Sequence, residues 1–151
     1  MKVQQLSVFL ENRSGRLTEV TETLGNAGIN ITAQCVADSS DYGVLRMVVS
    51  DPVRAAALLR DRGLSVTLTD VVCLETPNVP GALHRALAHL SSAGVSIDYM
   101  YAFANGQSAL VLIRTGDITR AVDVLIAGGQ KLVGPRELGM SCAAATEPSK
   151  S

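Results

Sequence analysis

The sequence has no excess of either charge. Thirteen Lys and Arg stand against fourteen Asp and Glu, a formal net charge of -1. That excludes the basic footprint with which proteins hold nucleic-acid phosphates. Long apolar runs are missing too: none approaches the ~18 residues of a membrane-spanning helix. The opening Met1-Lys2-Val3-Gln4-Gln5 lacks the apolar stretch of a secretory signal, so a cytoplasmic protein is expected. Cysteine is sparse. Cys35, Cys73 and Cys142 lie far apart, with no CxxC spacing, which excludes a zinc knuckle or a redox pair and fits a reducing compartment. In that compartment the sequons at Asn12 and Asn30 carry no glycosylation meaning.

Catalytic signatures are also lacking. His84 and His89 are five apart on a helical pattern, hence on different faces, and no HExxH, phosphate loop, GxGxxG or GxSxG occurs. With no nucleophile–base pair, no enzyme is expected, and no cofactor or metal.

What is present is a globular composition. Of 151 residues, 47% are hydrophobic and 18% charged, against roughly 45–50% and ~25% in ordinary domains. The length suits one domain or two small ones. Self-comparison favours two. At an offset of 66, Asn12 meets Asn78, Gly15 meets Gly81 and Leu17 meets Leu83. The register continues without a gap through Leu24/Leu90, Gly28/Gly94, Ile31/Ile97, Asp51/Asp117, Leu59/Leu125 and Gly63/Gly129. Two copies of one unit are expected over 1–69 and 70–134, followed by a mobile tail over 135–151.

Each copy reads alike. A β-branched apolar run leads to a loop with Asn and Gly, then to a helix with apolar residues three and four apart. Gly28 and Gly94 suit helix C-termini. Two strands follow, then a helix opened by Asp51 or Asp117, with Pro52 at its first position, and a fourth strand. The order βαββαβ is the ferredoxin-like arrangement: α+β, with an antiparallel four-stranded sheet and helices on one face. Two such sheets are expected to join into one of eight strands.

The third strands are apolar on both faces: Leu45, Met47 and Val49 alternate with Val44, Arg46 and Val48. A helix-free face that apolar is either an uneven monomer surface or a covered one, and a homodimer through it is expected. Tyr99, Tyr101 and Phe103 alternate along one strand, as in a base-stacking sheet. Strict alternation puts them on the face of Ile97, the counterpart of Ile31, so that face is expected to be core and nucleic acid is not expected as a partner.

The loops at the first helix starts remain: Asn12-Arg13-Ser14-Gly15-Arg16-Leu17 and Asn78-Val79-Pro80-Gly81-Ala82-Leu83. Asn-x-x-Gly is ordinary turn chemistry. It also suits a small zwitterion, because Gly admits close approach, free helix N–H groups attract a carboxylate, and Asn both donates and accepts.

These loops, with Ala27-Gly28-Ile29-Asn30-Ile31-Thr32-Ala33-Gln34, resemble the ACT domain family, above all the serine-binding regulatory domain of phosphoglycerate dehydrogenase. The resemblance covers about residues 3–134, so the chain looks like a stand-alone tandem ACT protein. It implies a non-enzymatic sensor of a free amino acid, or alternatively a regulatory subunit docked on an amino-acid biosynthetic enzyme. It further implies units joined edge to edge through their second strands, with the ligand at that junction. The loop Asn of one unit, Asn12 or Asn78, would then face the second-strand start of the other, Asn30-Ile31 or Ser96-Ile97. Leu10 and Thr76 replace the His that precedes the loop in the serine sensor, which makes the expected pocket more apolar.

Overall fold

The computed structural model describes residues 1–38 and 41–141; Cys142 and the remainder of the expected tail lie outside the described residues. The first unit holds β1 (Val3–Glu11), α1 (Arg16–Asn26), β2 (Ile31–Asp38), β3 (Tyr42–Val49) and α2 (Pro52–Asp61). β4 (Ser65–Pro77) leads into the second unit, with α3 (Ala82–Ser92), β5 (Ile97–Asn105), β6 (Ser108–Thr115), α4 (Ile118–Ala127) and β7 (Lys131–Leu132).

The duplication persists down to single hydrogen bonds. Asp51 and Asp117 cap α2 and α4 by accepting from Arg54 N and Arg120 N at 3.1 and 3.0 Å. The same two arginines then donate to the carbonyls of Ala27 and Ala93, closing off α1 and α3. Where α3 meets α4, Gly128 leaves room for His89: a Cβ there would lie 2.7 Å from the imidazole. That histidine is a packing residue.

All strand pairs are antiparallel, in the order β2-β3-β1-β4-β6-β5, with β7 beside β4. Among the described residues there are seven strands rather than eight, because the last strand of one unit and the first of the next are a single strand. The Ser65–Val71 half of β4 pairs with β1, and the Val72–Pro77 half with β6. The second strands, β2 and β5, are the two ends of the sheet, and no ladder joins them.

Three cores result. One lies between α1, α2 and the first half-sheet, around Leu6, Leu24, Met47 and Leu59. Its counterpart gathers Leu74, Leu90, Ile113 and Leu125. The third lies between the helix-free faces of the two units, where Val3, Val48, Val71, Cys73, Leu110 and Leu112 meet. The apolar face that was expected to seat a second copy is thus covered by the other unit of the same chain, and it gives no ground for a homodimer. The expected tail also differs from Pro135 to Ser141. Leu138 and Met140 are buried in the third core, Thr32 Oγ1 donates to Leu138 O, and Ser141 N donates to Ser50 O.

Strict alternation fails once in each second strand. Ile31 and Ala33 oppose the consecutive residues Val49 and Val48, and Ile97 and Tyr99 oppose Thr115 and Arg114. These are β-bulges, at Thr32 and at Asp98, and each turns the rest of its strand over. Ile97 therefore stays in the helix-side core, whereas Tyr101 and Phe103 pack into the core between the units. The shared face expected for Ile97 and the aromatic residues does not exist.

Candidate ligand-binding clefts

Each expected loop forms the same structure. Gly15 and Gly81 precede α1 and α3 with φ of 89° and 81°, left-handed backbone that costs other residues about 1–2 kcal/mol. Asn12 N donates to Asp41 O at 3.3 Å, and Asn78 N to Gln107 O at 2.9 Å. These bonds tie each loop to the hairpin between the second and third strands of its own unit. Unlike α2 and α4, neither α1 nor α3 has a side-chain cap among the described residues, so first-turn N–H groups remain available.

A cleft opens beside each loop, about 230 Å³ in the first unit and about 270 Å³ in the second. Their walls correspond at the offset of 66. Leu10, Asn12 and Leu17 match Thr76, Asn78 and Leu83. Val36, Asp38 and Gly43, from the hairpin side, match Ala102, Ala104 and Ala109. Those hairpin residues escaped the sequence reading. Their signal was the strand order, since a ferredoxin-like unit sets its third strand beside its first and so brings the preceding hairpin to the loop.

The clefts differ in charge. The first is walled by Glu11, Arg13, Arg16 and Asp38, whereas the second has no ionisable wall. In the first, Arg16 spans Glu19 at 3.1 Å and Glu11 at 3.5 Å, and Arg13 also contacts Glu11 at 3.1 Å. In the second, Val79 stands for Arg13, Ala82 for Arg16 and Arg85 for Glu19. The guanidinium of Arg85 folds over the start of α3, its Nη1 3.1 Å from where a Cβ on Gly81 would sit.

Of the expected site residues, Asn12, Arg13, Arg16 and Leu17 line the first cleft, and Asn78, Val79 and Leu83 the second. Ser14, Gly15, Pro80, Gly81 and Ala82 shape the loops without lining the clefts. Asn30 and Ser96 line neither. Asn30 N donates to Ser50 Oγ and Asn30 O accepts from Ser50 N, and Ser96 borders a separate depression with Asp98 and Asp117. Ile31 and Ile97 pack against the helix-side cores of their units, and Ile31 also edges a groove of about 510 Å³ between β2 and β5, lined by Gln34, Cys35, Tyr101 and Phe103. Phe103 and Ala102 are common to this groove and the second cleft.

Two βαββαβ units face to face, each with a loop–helix cleft, define a tandem domain of ferredoxin-like architecture. The chain belongs to the family described as the ACT domain pair, whose model matches residues 1–141. It is similar to protein BT0572 from Bacteroides thetaiotaomicron, with 47% identity over 92% of this chain and 96% of that one and a TM-score of 0.89. It shares its fold with the ligand-free regulatory subunit of aspartate kinase from Thermus thermophilus (15% identity, 83% and 91% covered, TM-score 0.64). The corresponding subunit from Thermus flavus is alike (16%, 83% and 92%, TM-score 0.60). None of the curated proteins matches the chain in sequence.

Proposed function

We propose that this protein is a non-enzymatic regulator that binds a free amino acid in its loop–helix clefts. The observation that carries this is the duplicated cleft. The same Asn, the same left-handed Gly and the same uncapped helix start recur, while α2 and α4 are capped by Asp. A volume below the roughly 300–1,000 Å³ of drug-sized pockets suits an amino acid better than a nucleotide. Such a ligand regulates by favouring one conformation of the pair, or of a partner, over another.

A second reading, a subunit docked on an amino-acid biosynthetic enzyme, takes its support from the aspartate kinase subunits that share the fold. Thermal unfolding in the presence of each of the twenty amino acids separates the two. A ligand at 100 times its Kd stabilises by about 2.7 kcal/mol. Stabilisation by one or a few amino acids is the expected result; no response to any of them favours the docking subunit.

A further inference from the structure

Resting on that reading, we propose that the two clefts are not equivalent: the second-unit cleft accepts the ligand, and the ligand is an amino acid with an apolar side chain. The first cleft already contains its own charges in contact. For Arg16 to take a ligand carboxylate it must release Glu19 or Glu11, and a neighbouring Asp38 repels the incoming anion. Exchanging one carboxylate for another gains little in a solvated site.

The second cleft offers the opposite. Val79, Leu83, Phe103 and Val111 wall it, and burying an apolar side chain of a ligand against them gains roughly 25 cal/mol per Å² removed from water. For the polar end of such a ligand, Asn78 in the wall supplies an amide. Next to it in the chain is the uncapped start of α3, over which the Arg85 guanidinium folds with no ion pair among the described residues. Arg85 stands where the first unit has Glu19, and Val79 where it has Arg13, so one cleft is self-paired and the other open.

Titration calorimetry on the whole chain tests this, using leucine, isoleucine, valine, phenylalanine, serine, aspartate, glutamate and lysine as separate probes. One equivalent per chain is expected, with an apolar amino acid bound at least tenfold more tightly than any polar one. Val79→Glu, at a position 54% exposed and so tolerant of charge, is expected to weaken that binding more than tenfold. Arg85→Gln is expected to weaken it about tenfold, the usual loss of a charge-assisted bond. Two equivalents per chain, preference for a polar amino acid, or undiminished binding by Val79→Glu would overturn the assignment and leave amino-acid sensing standing. Heat from none of these eight, together with no thermal shift from any of the twenty amino acids, would overturn both.

Discussion

Tyr101 Oη donates to Gln5 Oε1 at 2.8 Å, across the boundary between the two units. Gln5 Nε2 in turn donates to Tyr99 Oη at 2.6 Å, and the Arg46 guanidinium lies 3.8 Å over the Tyr99 ring. Gln5 is wholly buried, and these two hydroxyls, with a longer bond from its Nε2 to Ser7 Oγ at 3.5 Å, satisfy its amide. The counterparts at the offset of 66 are Val71 for Gln5, Cys35 for Tyr101 and Ala33 for Tyr99. The copies have diverged so that one carries the amide and the other the hydroxyls.

Gln5→Leu should therefore leave two half-buried hydroxyls short of a partner and destabilise the fold by about 1–3 kcal/mol. For a chain of this size that lowers Tm by roughly 2–4 °C per kcal/mol. Adding Tyr101→Phe should recover part of the loss, and a double-mutant cycle from chemical denaturation measures the coupling. Strict additivity of the two changes would remove the bond from the account of stability.

Alkali should loosen the same boundary. Burial, followed by Glu137 and Glu75, pushes the Cys73 thiol from 9.0 up to about 12, and burial raises the Tyr101 phenol as well. Both groups stay neutral in the fold at pH values where the unfolded chain ionises. Their contribution is full below pH ~9 and is lost as the pH rises toward 12. Melting curves from pH 8 to 11 should fall across that window, and Cys73→Ala should flatten the fall. An unchanged slope in that variant would assign it to other groups.

Leu138 follows the last strand, yet it is only 6% exposed and packs with Val3 and Val48 of the first unit. Leu138→Ala should cost about 2–5 kcal/mol, the range for a buried leucine. A loose tail would give under ~0.5 kcal/mol, as surface changes do. The midpoint of urea unfolding distinguishes these outcomes.

Much of the fold was legible because the chain states it twice. Asp51 and Asp117, Gly28 and Gly94, and the loops at Asn12 and Asn78 each announced a cap, a stop or a turn, and the structure places them so. The bulges at Thr32 and Asp98 were not legible. Thr32 is an ordinary strand residue and Asp98 stands as a single polar residue inside an apolar run, and one extra residue in a strand inverts every side chain after it. That single inversion sends Tyr101 to the opposite core. The covering of the helix-free faces was hidden for a related reason. Apolar alternation shows that a surface is buried and does not say what buries it; here the cover is a sequence copy of the surface itself. At the clefts the loop half was readable and the hairpin half was not, because Val36, Asp38, Ala102 and Ala104 enter through strand order rather than through motif.

The unbroken run of β4 from Ser65 to Pro77 gives the molecule its mechanics. A spine shared by both halves cannot act as a swivel between them, since bending it breaks ladders on either side. The opposite seam lacks that continuity: β2 and β5 flank a groove with no ladder across it among the described residues. It is held instead by side chains, with Ala33, Tyr101 and Phe103 packed into the third core and Thr32 Oγ1 donating to Leu138 O. The second cleft shares Ala102 and Phe103 with that groove, so the two depressions have a common wall.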